Sequence, residues 1–324
     1  MIKSSFISWE RYHRRSEILA YHFNATLHFI YHGPKGWRLR HALVRYITQA
    51  KETWRVLCSE RPEIIFVQNP PIFAVLVTYL YCLRHSAQYI IDSHTGAFLS
   101  SPWSKLAWLH RLLSRKALTT IVHNKSQEKI VQKWGCHYCV IAFTPGDYSY
   151  DEDFPLSGQF NIAVISKFAT DEPLETVFDV ANRFPKVDFY VTGDFRRIGQ
   201  DRFSKKPENC HLTGFLSYGQ YLSLLHKADA IMDLTTRDNT LLMGGFEAVS
   251  LGTPLITSDW PVLKDYFSLG TVHVSNTVEN ICEGVRRVLS DGDGLRLEMQ
   301  QLRDQLQREW EQNFKELQLV LKEH

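Results

Sequence analysis

The sequence has little that would place it in a membrane, among secreted proteins or among nucleic-acid-binding proteins. Its formal net charge is only +2 over 324 residues, so no strongly basic surface for nucleic acid is expected. The longest apolar run, residues 72–83, is too short to span a bilayer and predicts a buried helix. Charges interrupt the first residues too early for a signal peptide, which favours a cytoplasmic protein. A peripheral contact with the inner face of the membrane is also compatible with the sequence.

Cysteine is scarce, with six residues scattered along the chain. Only Cys136 and Cys139 are spaced like a pair of metal ligands, and no second pair completes a four-ligand zinc site. Reduced thiols in a cytosolic protein are therefore expected. Low-complexity tracts and short repeats are also lacking. Hydrophobic residues at 44% and charged residues at 22% are typical of a soluble globular protein.

Strand-like runs alternate with helix-length amphipathic segments along the whole chain, which is the pattern of parallel α/β proteins. Strands are predicted at residues 4–8, 26–30, 63–68, 88–92, 119–123, 138–143, 160–166, 187–192, 211–213, 230–234, 254–257 and 271–274. Helices are predicted notably at residues 40–58, 72–83, 104–114 and 126–134. The length of the chain allows two domains of ordinary size.

A break in this alternation falls at residues 144–158, which are rich in proline, glycine and acidic residues and predict an interdomain linker. We therefore predict an α/β fold of two Rossmann-like, doubly wound domains, residues 1–150 and 151–324, with a ligand cleft between them. Residues 294–323 predict one long amphipathic helix. Its apolar stripe would pack as an ordinary face of the second domain or cross back onto the first.

The most informative segment is residues 232–259, which predicts a strand end, a polar loop, a helix opened by Gly244 and Gly245, and another strand. Paired glycines let backbone amides approach a ligand, and the start of a helix adds positive potential. Glu247, predicted to lie in the first helical turn, could bind a ribose hydroxyl. Such a site suits a nucleotide or a nucleotide-sugar. The alternative is an ordinary βαβ turn with a capping glutamate.

This segment resembles the carboxyl-terminal donor-binding domain of the GT-B glycosyltransferases of the retaining group 1, or family 4, type. The residues that match are Glu247-Ala248, Gly252-Thr253-Pro254 and the hydrophobic strand after them. The family pattern has an earlier glutamate as well, and Asn239 stands in its place here with Asp238 beside it. The resemblance implies a GT-B fold and transfer of a sugar from a nucleotide-sugar donor. The acceptor would be a carbohydrate or a lipid-linked molecule in polysaccharide or glycoconjugate synthesis, with retention at the anomeric carbon.

The resemblance also assigns roles to other positions in the second half. Lys167, at a strand end, matches the first of two cations that hold the donor diphosphate. Acidic residues replace the second cation, and Arg237 is a candidate substitute. Thr192 and Gly193 match a strand–glycine turn near the nucleotide base, although a tight turn without a ligand is the alternative. No Asp-x-Asp motif stands where a metal-dependent transferase would use one, so neither a metal nor a cofactor is expected.

In the first half, His94 follows the predicted strand 88–92, at the carboxyl end where open α/β sheets bind ligands. The resemblance places this histidine against the donor sugar near the reacting carbon. An imidazole there can help to stabilise the charge of an oxocarbenium-like transition state. His94 and Lys167 are therefore the candidate catalytic residues.

The loop after the first strand carries Trp9, Arg11, Arg14 and Arg15, where many family members have paired glycines. Clustered cations with an aromatic residue predict an acceptor that bears phosphate, such as a lipid-linked sugar diphosphate. A charged helix start exposed to water is the alternative. Asn69, at the end of a neighbouring strand, is expected to line the same cleft.

Two other classes of function remain open at this point. A GT-B-shaped protein that binds a nucleotide-sugar or a partner without turnover would show the missing first glutamate and the missing second cation. A nucleotide-sugar epimerase shares the fold, but its usual catalytic carboxylates and basic residues are not evident. The sequence leaves the base, the sugar and the acceptor undetermined.

Overall fold

A computed structural model describes residues 2–33, 39–142, 148–197 and 206–322. The chain forms two compact units. Unit 1 comprises Met1–Pro145 and Glu309–His324, and unit 2 comprises Gly146–Arg308. Each unit contains one six-stranded parallel sheet with helices packed against it, as the alternation of strand and helix patterns predicts.

The sheet of unit 1 has the strand order β2-β1-β3-β4-β5-β6. Its strands are β1 (Ser4–Ser8), β2 (Thr26–Phe29), β3 (Ile64–Asn69), β4 (Gln88–Ser93), β5 (Thr119–Val122) and β6 (Tyr138–Val140). The helices are α1 (Arg14–His22), α2 (Leu39–Glu60), α3 (Ile72–Cys82), α4 (Thr95–Leu99), α5 (Ala107–Ser114) and α6 (Lys125–Trp134), with a 3-10 helix at Trp103–Leu106. All residues of the central strand β3 are buried, because helices cover both faces of a parallel sheet.

The sheet of unit 2 has the strand order β12-β11-β10-β7-β8-β9. Its strands are β7 (Asn161–Val164), β8 (Asp188–Thr192), β9 (Cys210–Gly214), β10 (Ala230–Asp233), β11 (Leu255–Ser258) and β12 (Thr271–Val274). The helices are α7 (Leu174–Asn182), α8 (Tyr218–Lys227), α9 (Met243–Leu251), α10 (Pro261–Tyr266) and α11 (Val278–Lys322), with a 3-10 helix at Phe195–Arg197.

The strand order locates the ligand-binding edge of each sheet. In unit 2 the order reverses between β7 and β10, and in unit 1 it reverses between β1 and β3. Open α/β sheets bind ligands outside the carboxyl ends of the strands at such a reversal. Ligand-binding residues are therefore expected directly after β7, β10, β1 and β3.

The predicted linker belongs in part to unit 2. Residues 143–147, which include its start, lie outside the described residues. Further along, the Tyr150 hydroxyl lies 2.8 Å from His226 Nδ1, and the Phe154 amide donates to Ser223 Oγ at 3.0 Å. These polar contacts attach the later part of the segment to α8, although the segment lacks the regularly spaced apolar residues of a helix or a strand.

The final helical segment α11 consists of two helices joined at Asp291, and the second of them corresponds to the predicted helix 294–323. The break at Asp291 has a φ of −142° and a ψ of 33°. Beyond this break, Leu295 packs in the core of unit 2. Further along, the Trp310 ring lies 4.9 Å from the ring of His22 in α1. The apolar stripe thus packs on unit 2 at its beginning and on unit 1 towards its end.

The cysteines are free thiols. Cys136 and Cys139, which have the spacing of metal ligands, contact different residues. Cys136 Sγ donates to Val131 O at 3.3 Å, and Cys139 Sγ donates to Asn313 O at 3.8 Å. The predicted apolar helix is α3, which packs inside unit 1. Among the described residues, no helix combines the length and the hydrophobicity that crossing a bilayer requires.

Candidate functional site

In unit 2, acidic side chains gather at the carboxyl ends of β7 and β10. Asp233 is the last residue of β10 and is buried, and its carboxyl group accepts a hydrogen bond from the Gly244 amide. Burial, followed by the charges of Glu247 and Glu172, raises the pKa of Asp233 to about 8, although Lys167 acts in the opposite direction. Asp233 is therefore mostly protonated at neutral pH.

Gly244 and Gly245 are required by packing inside unit 2. A Cβ at Gly244 would collide with the Asp233 carboxyl group and with Ile165, and a Cβ at Gly245 would collide with the Phe267 ring. Both glycines are buried. These glycines therefore make room for neighbouring side chains, and their contact with a donor stays a prediction. The Gly244 amide already has an acceptor in Asp233.

Glu247 lies in the second turn of α9, which corrects the predicted first-turn position, because the helix begins at Met243. Its Oε2 accepts a hydrogen bond of 2.5 Å from the Tyr221 hydroxyl. Burial and the charge of Glu247 raise the pKa of Tyr221 well above its ordinary value, so the phenol remains a donor. The carboxylate of Glu247 is thus oriented by Tyr221, near Asp233.

Lys167 follows β7, and its side chain is exposed. Its backbone amide donates to both carboxylate oxygens of Glu172 at 3.0 Å. The same carboxylate accepts from Ser166 Oγ at 2.7 Å and from the Ala169 amide at 3.3 Å. Glu172 therefore holds the loop after β7 together. Glu172, which stands where the resemblance expects a second cation, thus has a structural role.

The loop after β10 brings a second cation to the same region. Arg237 Nε lies 3.3 Å from Asp171 Oδ2, next to Glu172 in the loop after β7. Beyond Arg237 the chain turns at Asp238 and Asn239. The Asn239 amide donates to Asp238 Oδ1 at 2.6 Å, and Asn239 has a φ of 56°. The residue in the place of the missing glutamate therefore lies in a turn.

Thr192 and Gly193 connect β8 to the loop after β7. Thr192 Oγ1 accepts from the Ser166 amide at 3.2 Å and donates to Val164 O at 3.3 Å. Gly193 has a φ of 102°, and a Cβ there would collide with the Ser166 carbonyl. The tight-turn alternative accounts for both residues, and a contact with the nucleotide base remains a prediction.

In unit 1, three side chains converge on Asp92 at the end of β4. His94 Nε2 lies 2.8 Å from Asp92 Oδ2, while His123 Nε2 and Arg15 Nε lie 3.2 Å and 3.4 Å from Oδ1. Burial alone would raise the pKa of Asp92, but Arg15, with both histidines, more than offsets this and holds the pKa well below its ordinary value. Asp92 is therefore an ionised carboxylate inside the protein.

The ionised carboxylate defines the tautomers of the two histidines. Because Asp92 only accepts hydrogen bonds, His94 and His123 donate through Nε2–H, and in each neutral ring Nδ1 is the acceptor. Burial, followed by the positive charge of Arg15 and by His94, lowers the pKa of His123 to about 3. The His94 ring lies 4.6 Å from that of His13 and 4.5 Å from that of His123. Its side chain is 16% exposed.

Asp92, His94 and His123 are also the described residues that could hold a metal ion, since their ligand atoms lie within 4.8 Å of one another. Arg15, however, already neutralises Asp92, and its guanidinium donates to Ile141 O at 2.6 Å. A cation would add positive charge beside a buried guanidinium, which is unfavourable. The cluster therefore fits a hydrogen-bonding or proton-transfer role better than metal binding.

The predicted acceptor residues separate into exposed and buried positions. Trp9 is buried, and its indole donates to Thr53 Oγ1 at 2.8 Å. Arg15 is buried against Asp92. Arg14 Nη1 pairs with Glu17 at 2.7 Å. Arg14 starts α1, and Trp9 and Arg15 belong to the interior, while contact of these residues with an acceptor stays a prediction.

Two predicted acceptor residues remain. Arg11 is exposed, and its guanidinium lies 5.5 Å from the centre of the Tyr31 ring. Asn69 is buried, with Nδ2 3.0 Å from His110 Nε2 and 3.4 Å from Ser93 Oγ. Among the predicted acceptor residues, Arg11 is thus the most accessible, followed by Arg14, whose side chain is 25% exposed.

Asp233, Tyr221 and Glu172 were not predicted as parts of the unit 2 site. A signal for Asp233 was present, because it is the charged residue that ends the otherwise apolar strand β10. Asp92 was not predicted as a site residue either, although this charged residue follows the apolar part of β4 and stands next to its last residue. Tyr221 and Glu172 carry no comparable local signal.

The comparisons with known proteins agree with this geometry. Residues 173–316 match the family model described as "Glycosyl transferase-like". No curated protein matches the chain. HepE from Anabaena, whose structure was solved in complex with UDP and glucose, superposes with a TM-score of 0.73 at 11% identity over 98% of this chain and 100% of that one.

Two further solved structures share the architecture. Sucrose-phosphate synthase from Thermosynechococcus elongatus has a TM-score of 0.70 at 13% identity, covering 99% of this chain and 88% of that one. A glycosyltransferase from Rickettsia africae has a TM-score of 0.69 at 11% identity, covering 95% and 88%. The chain therefore has the GT-B fold of the glycosyltransferases, and residues 173–316 carry a glycosyl transferase-like sequence.

Proposed function

We propose that the protein is a glycosyltransferase that moves a sugar from a nucleotide-sugar to a carbohydrate or lipid-linked acceptor. The observation that carries the proposal is the edge of unit 2 where β7 and β10 end, since Lys167, Glu247 and Asp233 meet there within a glycosyl transferase-like sequence. HepE, which shares the fold, has been solved with UDP and with UDP-glucose. A nucleotide-sugar donor is therefore the first candidate substrate.

The charges of the unit 2 site are compatible with a diphosphate only if Asp233 carries a proton. Glu172 and Glu247 are near Asp233, and three ionised carboxylates would repel the donor. With a pKa of about 8, Asp233 is mostly neutral at pH 7. The side chains of Lys167 and Arg237 would then supply the positive charge for the diphosphate, and Glu247 would accept from a ribose hydroxyl.

In unit 1, we propose that His94 contributes to the transfer step. Asp92 orients its ring through Nε2, which leaves Nδ1 for a hydrogen bond with a sugar hydroxyl. Arg11 is the exposed cation that remains for an acceptor with phosphate. We also propose that transfer retains the configuration at the anomeric carbon, as the family resemblance implies. Independence from metal ions rests on the same resemblance and on the charge of Arg15 beside Asp92.

The proposal is tested with the purified protein and a panel of UDP-, GDP- and dTDP-sugars. Calorimetry measures binding of each nucleotide, and release of nucleoside diphosphate measures transfer or hydrolysis. NMR of the product reports the configuration at the anomeric carbon. We expect one base to bind more tightly than the others and its sugar nucleotide to be turned over with retention.

Two outcomes contradict the proposal. Binding of a nucleotide-sugar without turnover on any acceptor, including membrane extracts, indicates a binding protein with a GT-B fold. Absence of binding to every nucleotide in the panel rules out a donor site in unit 2.

A further inference from the structure

Unit 1 has an exposed apolar surface on α5 that its own core does not use. Trp108 is 66% exposed and Leu112 is 48% exposed. They are four residues apart and therefore adjacent on one side of the helix. Arg111 and Arg115, both exposed, lie on the same side at the matching spacing. We call these four residues the Trp108 face.

The inner side of α5 is already packed. His110 and Leu113 are buried in unit 1, and Leu113 belongs to its hydrophobic core. The Trp108 face is therefore not needed for folding. A contiguous exposed apolar patch that is rimmed by polar residues marks an interaction site, whereas single exposed apolar side chains do not.

The chain segment that carries the Trp108 face has charged residues of one sign only. Between Ser93 and Gln127 the sequence contains no acidic residue. All of its charged side chains there are basic and exposed: Lys105, Arg111, Arg115, Lys116 and Lys125. A surface of this kind attracts an anionic partner.

A second patch of the same kind lies near the start of α2. Leu43 and Val44 are each 64% exposed, and Ile47 is also exposed. The charged residues between Leu39 and Lys51 are again all basic. We call Leu43, Val44 and Ile47 the Leu43 face.

Ring contacts connect the chain segments that carry the two patches. Tyr46, which lies between Val44 and Ile47 in α2, has its ring 6.2 Å from that of Trp103 in the 3-10 helix before α5. Phe73 lies between them, 5.2 Å from Tyr46 and 6.0 Å from Trp103. The start of α2 and the approach to α5 are thus neighbours in unit 1.

We propose that these two faces bind the surface of an anionic lipid bilayer. Tryptophan and leucine side chains insert at the level of the lipid headgroups, where tryptophan is enriched. Basic side chains flanking them are attracted by anionic lipids, each strengthening binding about fivefold. A second copy of this chain is a poor occupant, because it would place basic residues against basic residues. The proposal does not depend on the identity of the donor or on transfer itself.

The test is co-sedimentation with vesicles of pure phosphatidylcholine and with vesicles of phosphatidylcholine and phosphatidylglycerol in equal parts. We expect binding to the anionic vesicles, weakened by salt because charges are screened. Arg111→Glu with Arg115→Glu should weaken binding at least tenfold, and Trp108→Ser with Leu112→Ser should weaken it similarly. Energy transfer from tryptophan to a dansyl-labelled lipid should fall in Trp108→Phe.

Matched controls come from α11 in unit 2. Arg286→Glu with Arg287→Glu makes the same change of charge on exposed residues, and Leu297→Ser removes an exposed leucine. Both controls should bind vesicles as the unaltered protein does. All variants should keep the same melting temperature and the same nucleotide affinity, which separates loss of lipid binding from loss of the donor site.

Three results overturn the proposal. The unaltered protein fails to bind anionic vesicles, or the Trp108 and Arg111 variants bind as well as the controls. Alternatively, sedimentation without lipid shows a dimer that the Trp108→Ser, Leu112→Ser variant abolishes, which assigns the surface to self-association.

Discussion

Asp233 accepts a hydrogen bond from the Gly244 amide at the start of α9, where the sequence predicts the donor diphosphate. An internal carboxyl group therefore already uses one of the amides that a phosphate would bind. Since burial and two acidic neighbours raise its pKa to about 8, the charge of this site changes within the range of pH in which the protein can be studied.

Asp233→Asn should remove a pH dependence of stability. In the folded protein the pKa is about 8, against an ordinary value of 3.8. The folded state therefore keeps a proton that the unfolded state loses, so the stabilising contribution of Asp233 is fully present below about pH 4 and is lost as pH rises towards 8. Each unit of pKa corresponds to about 1.4 kcal/mol, so the loss amounts to several kcal/mol. Urea unfolding at acidic and alkaline pH measures this loss.

Asparagine keeps an acceptor for the Gly244 amide but cannot ionise, so the variant should lose much less stability at alkaline pH. Asp265→Asn, an exposed carboxylate on α10, is the control and should follow the unaltered protein. Identical pH profiles for Asp233→Asn and the unaltered protein would disprove the assignment.

Glu247→Gln should weaken donor binding, because it removes the charge of the group proposed to accept from the ribose. Loss of a charge-assisted hydrogen bond costs about 1.5–3 kcal/mol, which is a tenfold to hundredfold change in affinity by calorimetry. Tyr221→Phe removes the 2.5 Å hydrogen bond that orients the carboxylate and should have a smaller effect. Equal nucleotide-sugar affinity for Glu247→Gln and the unaltered protein contradicts the ribose contact.

Lys167→Ala should lower the turnover number strongly, because a charge on the leaving diphosphate matters most as the glycosidic bond breaks. Arg237→Ala should have a weaker effect, since its guanidinium also pairs with Asp171. Steady-state kinetics separates an effect on turnover from an effect on substrate binding. A raised KM with an unchanged kcat would limit Lys167 to ground-state binding.

His94→Ala should impair transfer and leave the affinity for nucleoside diphosphate nearly unchanged, because the diphosphate is assigned to unit 2. A chelator should leave the activity of the unaltered protein in place, since Arg15 neutralises Asp92. Normal transfer by His94→Ala would remove the histidine from the mechanism. Activity lost with a chelator and restored by magnesium or manganese would instead assign a metal to Asp92, His94 and His123.

Gly193→Ala should destabilise unit 2 by about 2 kcal/mol or more, because a Cβ at its φ of 102° collides with the Ser166 carbonyl. Gly135→Ala is the matched control, since Gly135 also has a positive φ but nothing lies within 4 Å of the added carbon. It should cost only about 1 kcal/mol. Equal losses in thermal unfolding would show that the contact with Ser166 is not the cause.

The sequence predicted the fold well where the signal is local. The predicted strands 4–8 and 271–274 coincide with β1 and β12, because alternation, β-branched residues and flanking turns are properties of short segments. The alternating pattern of strands and helices occurs twice along the chain, and this was sufficient to predict two parallel sheets. Glu247 was placed one turn too early, because α9 begins at Met243. The packing of Gly244 and Gly245 against Asp233, Ile165 and Phe267 has no signal in the sequence.

What the sequence by itself determined is therefore the α/β architecture, the glycosyl transferase-like motif and the strand ends where site residues occur. Only the tertiary structure decided which side chains meet there. Arg15, His94 and His123 surround Asp92 because parallel strands bring distant carboxyl ends to one edge of a sheet. The protonation of Asp233 and the ionisation of Asp92 depend on burial and on neighbouring charges. These quantities belong to the folded molecule, and no local pattern of residues encodes them.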